Sequence, residues 1–455
     1  MMTLTEFREA RDLLSGILSN TNLIHSPYYS KRTGGEVYIK PENMQVTGAY
    51  KVRGACYKVS TLTDEEKAKG LVTASAGNHA QGVAFAAQRA GIEATIVMPT
   101  TTPLVKVNNT KDYGAHVVLE GSCFDESAAV ALKLSEEKGL TYVHPFNDLT
   151  VATGQGTIAY EIFKDLPDVD IILMPIGGGG LAAGVSTLTK LLNPNVKVIG
   201  VEPVGAASMK AALEAGHPVT LPGVTTIADG VAVKTVGDKV FPYVQENVDE
   251  IITIEDDELV DAFLDMMEKH KMIVENSGLL TIAALNHIDC KGKCVVPILS
   301  GGNMDVITMS SLVQHGLIRR GRVFTFSVLL PDQPGELLKV AKIVSDQQGN
   351  IIKLEHNQFV SINRQAEVEL QVTLEAFGHS HKAAIIKAME DAGYQVKLVF
   401  ARKGKRWAMI AGTLCYCLDM AASLVFTAFS WWFLIGIAVD ILLIAGLWCM
   451  TLLKK

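Results

Sequence analysis

The sequence predicts an α/β chain built on parallel sheets, followed by an α+β segment and an apolar helical tail. Three observations carry that reading. Between residues 37 and 300, short apolar runs rich in Val and Ile alternate with stretches of helical periodicity, the order that crossover connections impose on a parallel sheet. From Gly321 to residue 402 the order becomes strand, helix, strand, strand, helix, strand, which is ferredoxin-like. Beyond that, residues 407–429 and 431–453 are almost wholly apolar.

The elements follow in order. Residues 5–19 read as a helix, because Leu4, Phe7, Ala10, Leu13, Leu14, Ile17 and Leu18 recur at helical spacing. Residues 37–40 form a short strand leading into a lysine loop. Apolar runs at 71–74, 94–99, 116–119 and 142–145 then alternate with helical stretches at 80–90 and 125–138. The alternation resumes with a helix from Gly154, a strand at 171–176, a helix at 180–192, a strand at 197–202 and a helix at 205–215. A strand at 250–253, helices at 256–269 and 276–287, and a strand at 294–299 complete it. After Gly321, strands are expected at 322–330, 350–355, 367–374 and 396–400, with helices from the Pro334-Gly335 turn to about 348 and at 381–392. The two tail runs are each long enough to span a bilayer. Arg402, Lys403, Lys405 and Arg406 precede them and Lys454 and Lys455 follow, which puts both ends on the cytoplasmic side. Each run holds one charge, Asp419 or Asp440, at similar depth in such a hairpin.

Composition sets limits. A chain of 455 residues is too long for one core, so two or three domains are expected. The net charge is −7 and the first 400 residues hold no polybasic stripe, which argues against a nucleic-acid partner. Seven cysteines without framework spacing point to a reducing compartment. Cys290 and Cys294 are four apart but lack a matching Cys/His pair, so they read as buried or incidental thiols. The charged, amphipathic start, MMTLTEFREARDLLSG, has no signal-peptide core.

Chemistry enters through two segments. Lys51, in TGAYKVRGA (47–55), is placed between a turn and an Arg-Gly, where its amine can form a Schiff base with an aldehyde. Gly177, Gly178, Gly179 and Gly180 follow the apolar strand 171–176 and leave backbone N–H groups bare for a phosphate at a helix N-terminus. An aldehyde at one end and a phosphate at the other describe pyridoxal phosphate. Taken singly, the glycines could be a plain tight turn and the lysine a surface residue. The run also lacks the Lys-Ser/Thr of a P-loop and the spacing of a dinucleotide site. Two further polar turns, SAGNHAQG (75–82) and SGGNMD (300–305), also follow apolar strands, which places all four on one crevice of an α/β sheet.

Seven motifs now stand in one order: TGAYKVRGA, SAGNHAQGVA, MPTTTP (98–103), GQGTIAYEI (154–162), GGGGLAAG (177–184), GVEP (200–203) and SGGNMD. Over residues 1–320 they resemble the threonine/serine dehydratases (threonine ammonia-lyases) of the fold-type II pyridoxal-phosphate enzymes, the tryptophan synthase β-like family. The resemblance implies a two-domain α/β catalytic region, with a smaller subdomain inserted at about 38–146. It implies that Lys51 is the Schiff-base lysine and catalytic base, and that Asn78 meets the 3′-oxygen. Gly177, Gly178, Gly179, Gly180 and Leu181 would hold the phosphate, and Ser300 would face the pyridine nitrogen. Ser75, Ala76, Gly77 and His79 would hold the substrate carboxylate. The implied reaction is β-elimination and deamination of L-threonine, and of L-serine, to 2-oxobutanoate or pyruvate and ammonia. The alternatives are a serine racemase, a threonine synthase-like enzyme, or a membrane-tethered amino-acid sensor with a relic enzyme domain.

Three departures qualify the resemblance. Ala76 stands where related serine racemases tend to have serine, which disfavours racemisation. Ser208 replaces an expected aspartate in a loop with Glu202, so no metal is expected. Glu275-Asn-Ser-Gly278 replaces a Glu-Pro-type turn, which leaves the role of Glu275 open.

The Asp332-Gln-Pro-Gly-Glu-Leu337 turn resembles the ACT domains that bind amino acids. That resemblance implies a regulatory domain at 321–402 with an amino-acid effector at Asp332, Gly335, Glu336 and Leu337; a dimerisation module without ligand is the alternative. A homo-oligomer, dimer or tetramer, is expected. The catalytic region is expected to be cytoplasmic, tethered to the membrane by a transmembrane hairpin at 403–455, which no resemblance covers; a buried helical hairpin or an accidental gene fusion is the alternative.

Overall fold

The computed structural model describes residues 2–357 and 368–399, and the chain divides after Arg319 into two units. The hairpin read at 403–455, with Asp419 and Asp440, lies outside the described residues. Among the described residues no helix is long and apolar enough to cross a membrane.

Two sheets organise the first unit. The smaller contains β3 (Leu71–Ala74), β4 (Ala94–Met98), β5 (His116–Leu119) and β6 (Thr141–Tyr142), in the order β5-β4-β3-β6 and parallel throughout. The larger contains β1 (Ile24–His25), β2 (Glu36–Ile39), β7 (Ile171–Pro175), β8 (Lys197–Pro203), β9 (Glu250–Ile254) and β10 (Cys294–Pro297). Its order is β1-β2-β10-β7-β8-β9, and only the β1–β2 pair is antiparallel. Every residue of β7 is buried, as an unbroken apolar run covered by helices on both faces requires. Strand β2 pairs with β10 in the larger sheet, so the smaller sheet begins only at Leu71.

Several boundaries differ from the sequence reading. The first helix is Leu4–Leu14, ended by Gly16 at φ 80°. Lys51 does not sit in a loop but opens the helix Lys51–Ser60. The run at 142–145 contributes only Thr141–Tyr142, because Pro145 cannot donate to a ladder and His144 turns to accept the amide protons of Phe146 and Asn147. The helix expected at 205–215 begins at Ser208, after a 3-10 turn at Val204–Ala206. The stretch 256–269 is α-helical to Asp265 and widens into a π turn at Met266–His270, stopped by Lys271 at φ 59°.

The second unit carries β11 (Val323–Leu330), β12 (Asn350–Asn357), β13 (Val368–Glu375) and β14 (Lys397–Val399) in the antiparallel order β12-β13-β11-β14. Helices Glu336–Asp346 and His379–Asp391 bury Val340, Val344, Ile385 and Met389 among Phe326, Leu370, Val372 and Leu374 of the sheet. Period-2 alternation along β13 gives the sheet one apolar face.

Candidate active site

The four polar segments follow β2, β3, β7 and β10 at their C-terminal ends. Parallel strands put those ends on one edge of each sheet, so loops far apart in sequence meet in one crevice.

Lys51 is fixed from the Ser300 side. Tyr50 N–H donates to the Ser300 carbonyl at 3.1 Å, and Gly302 N–H donates to the Gly48 carbonyl at 2.9 Å. Just before them Thr47 lies at φ 65°, a strained conformation for a β-branched residue, and its carbonyl accepts from Asn303 Nδ2 at 2.7 Å. Lys51 Nζ donates to the Pro145 carbonyl at 2.8 Å. Burial lowers the Lys51 ammonium to about 8, and the Glu275 carboxylate only partly opposes it. A lysine so placed holds about a tenth of its amine free at neutral pH, some hundredfold more than an unperturbed lysine.

The next residue, Phe146, reaches the glycine run. A side chain on Gly178 would run into the Phe146 ring, and one on Gly180 would come within 2.8 Å of its carbonyl oxygen. Gly179 sits at φ 100° and is the N-cap of the helix Gly180–Leu192, with no side chain capping it. The first N–H groups of that helix are therefore bare, and Leu181 is buried behind them. Gly177 lies against Val231.

The turn after β3 is similarly bare. Helix Asn78–Ala90 has Gly77 as N-cap and no capping side chain, and Gly77 N–H reaches only Ser75 Oγ, at 3.3 Å. Ala76 brings no hydroxyl. The His79 ring turns away to the Val143 carbonyl at 3.0 Å, and burial together with nearby Lys51 depresses it to about 3, so it is neutral. What His79 offers the turn is its backbone N–H.

Asn78 uses both ends of its amide. Its Oδ1 accepts from Asn303 Nδ2 at 2.9 Å, and its Nδ2 donates to both Glu275 oxygens, at 2.8 and 2.9 Å. Burial raises the Glu275 carboxyl to about 7. Ser300 Oγ is buried and has no hydrogen-bond partner among the described residues.

Sequence reasoning missed Asn303 altogether and left Glu275 without a role. A signal for Asn303 was present, since it lies inside SGGNMD. It also missed Lys106, whose ion pair with Asp229 at 2.9 Å joins a helix of the smaller sheet to a turn beside Val231. Glu202 accepts from the Met209 and Lys210 amides at 2.8 and 2.9 Å, and burial raises it to about 7. No group of side chains suited to a metal occurs among the described residues. In the second unit Asp332, Gly335 and Leu337 are exposed, Gly335 is the uncapped N-cap of helix Glu336–Asp346, and Glu336 pairs with Lys339 at 2.7 Å.

These residues fit pyridoxal phosphate. A depressed amine, an uncapped helix N-terminus lined by glycines and an orphaned buried hydroxyl match its aldehyde, phosphate and ring nitrogen in turn.

Comparison with known proteins agrees. The family model described as pyridoxal-phosphate dependent enzyme matches residues 14–301. An L-threonine ammonia-lyase of Thermotoga maritima is 43% identical over 400 residues, covering 88% of this chain and 100% of that protein. The structure of processed threonine deaminase isoform 2 from Solanum lycopersicum superposes with a TM-score of 0.65 at 42% identity, covering 69% of this chain and 94% of that one. Maize serine racemase gives a TM-score of 0.65 at 35% identity, covering 70% and 98%.

Proposed function

Because the chain belongs to the pyridoxal-phosphate dependent enzymes, we propose from its site that it is a threonine ammonia-lyase, a carbon–nitrogen lyase that converts L-threonine to 2-oxobutanoate and ammonia. L-Serine, giving pyruvate, is the second substrate of this reading. The observation that carries it is Lys51: a depressed amine at the start of a helix, in the crevice shared by the glycine run and Ser300.

Bound there, pyridoxal phosphate supplies a sink for the electrons left on Cα when an amino acid loses its α-proton. Lys51 would hold the cofactor, and its Nζ is the group that would take the α-proton of the substrate. The N–H groups from Gly177 to Leu181 hold the phosphate. The turn Ser75–Gly77 and the first N–H groups of its helix, including that of His79, hold the substrate carboxylate and orient Cα. Ser300 Oγ would face the ring nitrogen and brings no carboxylate charge, so it would not enforce protonation of that nitrogen, which would favour elimination over transfer reactions. Ala76 offers no group to the opposite face of Cα, which favours the lyase over a racemase.

Residues 321–402 are proposed as a regulatory, ACT-like module, supported by their strand order and by the turn Asp332, Gly335, Glu336 and Leu337. A homo-oligomer and a membrane-anchoring hairpin at 403–455 complete the proposal. The hairpin rests on the length, apolarity and basic flanks of the two runs.

The test is release of 2-oxo acid from L-threonine and L-serine by the purified chain, with Lys51→Ala as the control. No release by the wild type loaded with pyridoxal phosphate would overturn the lyase reading. Recovery of the whole protein in the aqueous fraction of lysed cells, without detergent, would overturn the anchor alone.

A further inference from the structure

Glu275 is buried at the N-cap of helix Asn276–Ala284, and among the described residues its carboxyl makes no ion pair. Its backbone N–H donates to the Gly301 carbonyl at 2.9 Å, and a side chain on Gly301 would come within 2.6 Å of Oε1. The carboxyl is thus held against the loop that carries Ser300. Its hydrogen-bond partner is Asn78, through both oxygens.

Three side chains form a directed chain: Asn303 Nδ2 donates to Asn78 Oδ1, and Asn78 Nδ2 donates to Glu275. Rotating the Asn78 amide by half a turn would set its nitrogen against the Asn303 nitrogen and its oxygen against a carboxylate. Both contacts would be repulsive, so the two neighbours fix the amide in one orientation. A single Nδ2 hydrogen can be shared between the two Glu275 oxygens, which leaves the second free.

We propose that Glu275 is a positioning residue acting through Asn78: it fixes the amide with one N–H spare for the cofactor, and it adds an ionisable carboxyl to the crevice that holds Lys51. This rests on the reading of the crevice as a pyridoxal-phosphate site. The groups facing Glu275 are Asn78 on its helix, Lys51 at the start of another, the adjacent Tyr50, and the paired Asp229 and Lys106. Asp229 and Lys106 act on the carboxyl in opposite directions. Burial leaves it titrating at about 7. The site therefore gains a negative charge as pH rises through neutrality, and that charge raises the proton affinity of the Lys51 nitrogen.

The experiment is a pH titration of the visible absorbance of cofactor-loaded full-length protein, with cofactor release measured alongside. Wild type is expected to show an inflection near neutral pH. Glu275→Gln keeps an acceptor for Asn78 but removes the charge, so that inflection should vanish while cofactor stays bound. Glu275→Asp keeps the charge but is too short to bridge Asn78, so the inflection should persist and cofactor release should quicken by about tenfold. An unchanged inflection in Glu275→Gln overturns the proposal. Should that variant fail to fold, wild-type release from Glu275→Asp overturns it instead. A wild type with no Lys51-dependent visible band defeats the site reading itself; a normal wild-type band with unresponsive variants defeats only the role given to Glu275.

Discussion

Arg53 and Glu42 share two hydrogen bonds of 2.7 Å, and neither side chain has any exposed surface. Lys40, equally buried, and Glu161 complete the cluster, and Thr21 donates to Glu42 at 2.6 Å. Glu161 remains paired with Arg53 and Lys40, but losing Glu42 leaves the buried cluster one positive charge in excess, so Glu42→Gln should destabilise the fold by about 3–5 kcal/mol in denaturant titration. Burial alone would raise Glu42, but Arg53 and Lys40 outweigh it and hold the carboxyl at about 2. A depressed carboxyl stabilises the fold above its unfolded value near 4.5 and loses that contribution as pH falls toward 2. Wild-type stability should fall through that window, and Glu42→Gln should show a shallower fall there.

Lys51 should react as a weakly basic amine. In cofactor-free protein, the rate of reconstitution with pyridoxal phosphate should rise with pH and level off above about 8, because only the free amine attacks an aldehyde. A rate still climbing steeply at pH 10 would contradict the burial of this lysine. Lys51→Ala should abolish both turnover and cofactor trapping by borohydride.

Ser300→Asp should set a carboxylate against the ring nitrogen, favour its protonation and shift the balance from elimination toward amino-group transfer to the cofactor. The ratio of the two products from L-threonine measures it; an unchanged ratio would refute the role given to Ser300.

Gly178→Ala should push a methyl group into the Phe146 ring. Overpacking of this kind costs about 1–3 kcal/mol, and Phe146 directly follows Pro145, whose carbonyl holds Lys51. Weaker cofactor retention and a lower denaturation midpoint are expected together, read by dialysis and by unfolding.

Isoleucine or valine should bind near Asp332 and the N-terminus of helix Glu336–Asp346, where free N–H groups can receive a carboxylate. Calorimetry on the intact protein tests this. Absence of heat with branched-chain amino acids, threonine and serine would leave the second unit as a dimerisation module.

The glycine run, Lys51 and Ser300 were legible because local chemistry announces them: each lies in a polar turn after an apolar run, and parallel topology collects such turns at one edge. The Asn303–Asn78–Glu275 chain was not. Its members are separated by most of the first unit, and an asparagine in a turn looks the same whether it caps a backbone or orients another amide. The placement of β2 was hidden for a related reason, since its strand character is local but its partner β10 is not. The π turn at Met266–His270 escaped because helical periodicity carries across it, and the stop is set by the backbone of Lys271 rather than by a glycine.

The pairing of β2 with β10 bears on how the chain is made. Glu36 and Val37 find their partners only in Cys294 and Val295, more than half the chain later. During synthesis the segment bearing Lys51 must wait on the order of tens of seconds for that strand to emerge. In that interval β2 has only the two-residue β1 beside it and an open edge on the other side, a template for wrong pairing. Loop closure over so long a separation is slow, so chaperone dependence and late acquisition of cofactor binding should go together in newly made protein.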